Sequence, residues 1–236
     1  MKQKTYLKGV LVIAVLLFGV MGSLVKADES LGEKITEYLG ITEQTILPDS
    51  SFYLSKNLSR RWDRMFTFNA SDKVMVDLGK LSELTRELAD IHLNSASKNL
   101  DNKVYELYAS WSDYLSTDYS RATISNPSTS GSLEVSLATE SLKQLVVINE
   151  LEKDGLDPVV ANLFRKTAIQ NWTLSLGKQG NSRWVSTALE AANKLGDTIT
   201  KKDMLDSLDK VVFVLDRSSL SNLVKGVIIS LAGLNA

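Results

Sequence analysis

Apolar residues recur every three or four positions along most of the chain, which is the spacing of amphipathic α-helices. Leu31, Ile35 and Leu39 form the first such stripe, and Gly40 can end that helix in the left-handed region. No long stretch alternates apolar and polar residues with the period of two that a half-buried strand shows. The sequence therefore predicts an all-α fold, a helical bundle.

The longest stripe predicts the central element of this bundle. It runs from Val74 to Ile91 and continues on a neighbouring track to Tyr114. A single helix of this length, about 45 residues, would span roughly 68 Å, which is too long for one compact globule. We therefore expect one long central helix or two helices with a bend near Asn94, starting after an N-cap at Asn69.

The helices are expected in two regions that a linker joins. Residues 28–118 form the N-terminal helical region, and residues 133–236 form the C-terminal one. Between them, residues 119–132 contain the run Ser-Asn-Pro-Ser-Thr-Ser-Gly-Ser, whose residue types favour turns. The sequence leaves open whether the two helical regions share one core.

Residues 1–27 have the plan of a secretory signal peptide. Lys2, Lys4 and Lys8 precede the uncharged apolar run Gly9–Val25, and small or apolar residues precede a cleavage point after Ala27. We expect cleavage near Ala27 and a secreted or otherwise extracytoplasmic chain. A retained N-terminal anchor is the alternative, because the run is close to the length that spans a bilayer.

Composition excludes several classes of function. The chain has no cysteine, which excludes disulfides, thiolate metal sites and cysteine nucleophiles. Its one histidine, His92, has no potential metal ligand three or four residues away. Without the leader, 23 basic residues face 28 acidic ones, and this net charge of −5 does not suit a nucleic-acid partner. We expect no cofactor, no metal site and no catalytic residues.

Two short motifs support a resemblance to a known family. Residues 47–56 read Leu-Pro-Asp-Ser-Ser-Phe-Tyr-Leu-Ser-Lys, and residues 66–69 read Phe-Thr-Phe-Asn. They resemble the signature L-P-D-S-P-x-Y … F-T-F-D-P of an uncharacterised exported bacterial and archaeal family, a domain of unknown function. Ser51 stands here in place of the first motif's second proline, and Asn69-Ala70 in place of the final Asp-Pro. The resemblance covers roughly residues 41–176 and implies a helical extracytoplasmic domain without a defined chemistry.

The motif residues are expected to be structural. A turn and a cap should start one helix, aromatic residues should pack at both of its ends, and a second cap should start the long helix. Pro48 forms the turn, and Asp49 and Ser50 form the first cap. Phe52 and Tyr53 pack at the start of the helix and Phe66 and Phe68 at its end, and Asn69 is the second cap. The alternative is that the same aromatic residues form a binding groove.

The helix after this motif has a basic side and an apolar side. Lys56, Arg60, Arg61 and Arg64 share the first, and Leu54, Leu58, Trp62 and Met65 share the second. Four cations so close together repel one another, so two interpretations remain open. Acids of the long helix, or Asp63, neutralise them, or they form a surface for an anionic partner. Glu83, Glu87 and Asp90 of the long helix are expected to form a solvated face.

These observations favour a non-enzymatic binding or scaffold module of the cell envelope. Its candidate partners are an envelope protein, an anionic lipid and a cell-wall polymer. An envelope sensor or regulatory partner is one alternative, and a hydrolase that uses carboxylates is another.

Overall fold

The computed structural model describes residues 31–41, 46–94, 100–176, 181–215 and 219–233. Within these ranges the chain forms nine α-helices and one short 3-10 helix and contains no strand, which confirms the all-α prediction. The predicted signal peptide lies outside the described residues. Helix α1 covers 31–39 and ends, as predicted, at Gly40, whose φ is +67°. The later helices are α2 (Tyr53–Phe66), α3 (Ala70–Asn94), α4 (Leu100–Ser125), α5 (Ser130–Lys153), α6 (Pro158–Leu174), α7 (Asn181–Leu195), α8 (Lys201–Leu215) and α9 (Ser219–Ala232).

The expected central element is two helices that pack against each other, not one long helix. Helix α3 ends at Asn94, where the sequence predicts a bend. Arg64 contacts Asp77 early in α3 and Asp118 late in α4, whereas Thr85 further along α3 lies beside Tyr108 earlier in α4. The two helices therefore run antiparallel.

The structure differs from the predicted linker at residues 119–132. Helix α4 continues to Ser125, and Tyr119 and Ala122 are buried on its inner side. The hydroxyl groups of Ser120 and Thr123 donate to carbonyl oxygens one turn earlier in the same helix, so residues typical of turns are satisfied without leaving it. Only Asn126 and the 3-10 helix Pro127–Thr129 separate α4 from α5.

Both helical regions share one hydrophobic core. Helix α5 lies at its centre and packs against α3, α6, α7 and α8. The apolar residues of this core come from α1 and from α3 through α9 and form one contiguous cluster. No residue of α2 belongs to that cluster, so α2 must be attached to the bundle in another way.

The α5–α6 connection shows how local chemistry sets a helix boundary. Gly155 has a φ of +103°, and Asp157 accepts a hydrogen bond at its Oδ1 from the Val159 amide at 2.7 Å. Pro158 follows at the first helical position, where a missing N–H group has no cost.

Replacing Asp157 with alanine is expected to lower the free energy of unfolding by about 1 kcal/mol, because the Val159 amide loses its acceptor. Urea unfolding followed by circular dichroism measures the change. Asp209→Ala is the matched control, since Asp209 is exposed within α8 and caps no helix. Equal losses in the two variants would contradict the capping role.

Candidate functional site

Helix α2 turns its basic side toward the bundle and its apolar side toward solvent. Its buried residues are Tyr53 and Arg60, and Arg60 is only 2% exposed. By contrast, Leu54 is 81% exposed, and Leu58 and Trp62 are about half exposed. A surface helix of a globular protein normally buries its apolar stripe. This reversed orientation makes α2 the candidate functional site.

The basic side of α2 is bound by carboxylates of α3 at a buried centre. Glu87, which is fully buried, accepts a hydrogen bond from the Tyr53 hydroxyl at 2.8 Å. Its other oxygen lies 2.6 Å from Lys56 Nζ and 2.5 Å from Arg60 Nη2. Arg60 Nε also lies 2.9 Å from Glu83. Burial alone would lower the pKa of Arg60, but the Glu87 and Glu83 carboxylates raise it, so the guanidinium stays charged.

A second group of charges binds the end of α2. Arg64 Nε lies 3.2 Å from Asp77 of α3, and Arg64 Nη2 lies 2.5 Å from Asp118 of α4. The guanidinium also stacks over the Tyr114 ring at 4.2 Å. We call Lys56, Arg60 and Arg64, together with Glu83, Glu87, Asp77 and Asp118, the charged seam.

The Arg64 end of the seam holds more negative than positive charge. Asp77 and Asp118 are both buried, and among the described residues Asp77 Oδ2 and Asp118 Oδ1 lack a hydrogen-bond partner. Arg121 Nη1 lies 3.6 Å from the latter oxygen, at the exposed edge. Burial is the main cause that raises the pKa of Asp77; Arg64 opposes it, Asp118 adds to it, and the net pKa is about 7. Near neutral pH, Asp77 therefore binds a proton for part of the time.

The structure separates the four basic residues that the sequence grouped together. Lys56, Arg60 and Arg64 contact carboxylates of the bundle, as the neutralisation alternative describes. Arg61 is exposed and makes no ion pair with any described residue. An anionic partner would meet Arg61 freely but would have to compete with buried carboxylates for the other three.

The expectation of a solvated acidic face on α3 is wrong. Glu87 and Asp90 are buried, and Asp90 lies 3.0 Å from Arg86. Their ion pairs offset the cost of removing the carboxylates from water. The sequence does contain a pattern that indicates this seam. Basic residues recur at positions 56, 60 and 64 of α2, and the acidic residues that meet them occur in the opposite chain order, at positions 87, 83 and 77 of α3. No pattern in the sequence indicates that Asp118 belongs to the seam.

The predicted packing of the motif aromatics is wrong for three of them. Phe52 is 69% exposed, Phe66 58% and Phe68 89%, so they do not pack the ends of α2 into the bundle. The reversal of α2 explains the exposure of Phe66, which shares the apolar side of the helix; Phe52 and Phe68 flank the helix. Tyr53 alone turns inward, where its hydroxyl donates to Glu87.

The turn and cap residues of the motif divide into two groups. A turn that contains Pro48 is closed by the Ser50 amide, which donates to the Leu47 carbonyl at 3.0 Å. Helix α2 starts only at Tyr53 and has no side-chain cap at its N-terminus, so neither Asp49 nor Ser50 caps it; the Ser50 hydroxyl accepts instead from the Phe52 amide at 3.3 Å. Asn69 does cap α3, since its Oδ1 accepts from the Ser71 amide at 2.9 Å.

We call the exposed apolar residues of α2 and of its two flanks the apolar face. Trp62 and Phe66 are in contact, with ring centroids 5.5 Å apart. The other members follow at helical spacing or flank the helix. The apolar face comprises Phe52, Leu54, Leu58, Trp62, Met65, Phe66 and Phe68.

The rest of the described chain offers weaker candidates. His92 forms a surface contact, with its Nε2 3.1 Å from Asp154 Oδ2. Across the described ranges, no three His, Cys, Asp or Glu side chains are grouped so that they could hold a metal ion. An open groove of about 480 Å³ lies between the end of α1 and α3, but Lys80 and Lys143 pair with its two carboxylates, Glu83 and Glu140.

Comparison with known proteins adds no further assignment. No protein-family model, no curated protein and no solved structure matches this chain. None of the helices in the described ranges is both long and apolar enough to cross a bilayer.

Proposed function

We propose that this chain is a non-enzymatic binding or scaffold module of the cell envelope, and that the apolar face of α2 is its binding surface. The observation that carries the proposal is the reversed orientation of α2. Monomeric soluble proteins rarely expose a contiguous apolar patch of more than a few hundred Å², and larger patches mark interaction sites. Five large exposed apolar residues share one side of this short helix, and Phe52 and Phe68 flank it, which is the arrangement expected of such a patch.

The charged seam supports a binding role because it fixes the apolar face in place. Arg60 and Arg64 reach two different helices through short ion pairs, so α2 is attached at both its middle and its end. A surface that is ordered before binding loses less conformational entropy when a partner arrives. The face therefore has the rigidity expected of a preformed docking element.

The carboxylates of the seam favour binding over hydrolysis. Asp77 and Asp118 are two desolvated acids, which is the feature that a carboxylate hydrolase requires. Both lie beneath Arg64, which pairs with them, so a substrate cannot reach them while α2 is in place. The envelope location rests on the predicted export leader and on the family resemblance of residues 41–176.

Photo-crosslinking from the apolar face tests this function. A benzophenone amino acid at Leu58, in the chain expressed in its native host, is expected to give covalent adducts on irradiation. Phe213 of α8 is the matched control, since it is also an exposed apolar residue but lies away from α2. The proposal fails if adducts at Leu58 are no more abundant than those at Phe213.

A further inference from the structure

We infer that the partner of the apolar face is a second copy of this chain, so that the protein is a homodimer joined through α2. This inference rests on the proposed function, because it names what the binding surface binds. Four properties of the face support it: its area, its composition, its geometry and its charge.

The area of the apolar face matches one half of a stable interface. Its seven residues are between about half and nine-tenths exposed. Taking about 200 Å² for a fully exposed large apolar residue, together they present on the order of 900 Å². Specific interfaces bury about 800 Å² on each partner. One such face against another copy is therefore enough for a specific dimer.

The composition of the face is that of an interface core. Interface cores are enriched in aromatic residues, methionine and arginine and are depleted in lysine and acidic residues. The face contains one tryptophan, three phenylalanines and Met65, and Arg61 lies at its edge. Tryptophan and arginine are also the residues that most often dominate binding energy. Trp62, at the centre of the face, is the expected main contributor.

The geometry of the face suits a pair of helices. Leu54, Leu58 and Trp62 follow one another at intervals of four residues, and Met65 and Phe66 continue the row. Such a row forms a ridge that packs into the groove of a facing helix. In a two-fold dimer the same surface serves both partners, and two-fold dimers are the commonest soluble oligomers. Two copies of α2, each about 21 Å long, can bury this row along its full length.

Charge favours a second copy over an anionic membrane. A membrane-surface helix presents several Lys and Arg residues to lipid headgroups beside its apolar face. Here the seam already engages Lys56, Arg60 and Arg64, so of the four basic residues of α2 only Arg61 is exposed and makes no ion pair with a described residue. A nearly uncharged apolar face suits association with another apolar face.

Sedimentation equilibrium of the purified exported chain tests the dimer. We expect a mass twice that of the chain at micromolar concentration. Leu58→Asp and Trp62→Asp, tested one at a time, should weaken dimerisation at least 100-fold, because each places a charge inside the interface. Phe213→Asp is the control and should leave the dimer intact, since it changes an even more exposed apolar residue elsewhere. Circular dichroism should show unchanged helix content in all three variants.

Either of two sedimentation results would overturn the dimer. One is a wild-type chain that stays monomeric at 100 μM, and the other is a Leu58→Asp or Trp62→Asp variant that keeps the dimer mass. The mass of the Leu58 photo-adduct then separates the two proposals. An adduct of twice the chain mass supports the dimer, whereas an adduct with a lipid or another protein refutes it but leaves the binding function in place. The absence of any adduct refutes both.

Discussion

Replacing Glu87 with alanine is expected to weaken the attachment of α2 to the bundle by about 3–5 kcal/mol. Glu87 is fully buried, accepts a hydrogen bond from Tyr53 and forms ion pairs with Lys56 and Arg60. Its removal leaves the Arg60 guanidinium, 2% exposed, without its closest counter-charge. Breaking a buried ion pair at one partner is costly because the other charge stays desolvated.

Amide hydrogen exchange is the measurement that isolates this effect. No residue of α2 belongs to the hydrophobic core, so α2 can open while the rest of the bundle stays folded. Exchange of the α2 amides should accelerate by about two to four orders of magnitude in the Glu87→Ala variant, whereas the amides of α5 should keep their protection.

A double variant provides the control for the charge argument. Arg60→Met with Glu87→Leu removes the most deeply buried pair and keeps similar volume, so it should recover part of the α2 protection, although Lys56 also loses its partner. If the α2 amides still exchanged slowly in the Glu87→Ala variant, something other than the seam would attach the helix to the bundle. If the double variant recovered no protection, the Arg60–Glu87 charge pair would not be what decides the attachment of α2.

The helices themselves could be predicted because each depends on neighbouring residues. The Leu31–Leu39 stripe, the left-handed Gly40 and the Asn69 cap are local features, and the structure contains them. The end of α4 could not be predicted in this way, since composition favours a turn at residues 119–132. There the burial of Tyr119 and Ala122 outweighs local preference.

The orientation of α2 could not be predicted, because an amphipathic helix can bury either side. Amphipathic surface helices usually bury their apolar side. Here a buried set of acids on two other helices reverses the choice, and one of them, Asp118, is 54 residues from Arg64 along the chain. Local rules are expected to fail at functional sites, since such sites keep features that stability alone would not select. The failure at α2 therefore agrees with the proposal that its apolar face binds a partner.

Replacing Asp77 with asparagine is expected to stabilise the protein at pH 8 by about 2–4 kcal/mol. The pKa of Asp77 is raised from about 3.9 in an unfolded chain to about 7 in the fold. The folded state therefore binds the Asp77 proton more tightly than the unfolded chain does. The stabilisation that comes from binding this proton is complete below pH 4. That stability is lost as the pH rises toward 7, and the full shift corresponds to roughly 4 kcal/mol.

Asparagine reproduces the protonated form at every pH, because its oxygen can accept from Arg64 and its amide can donate to Asp118. Urea unfolding at intervals between pH 4 and pH 8 should therefore give equal stabilities for the variant and the wild type at pH 4 and a growing difference above it. Asp209→Asn, at an exposed position of α8, should show no such growth. If Asp77→Asn is instead less stable than the wild type at pH 8, then Asp77 is fully ionised in the fold, and Arg64 compensates both carboxylates of the seam.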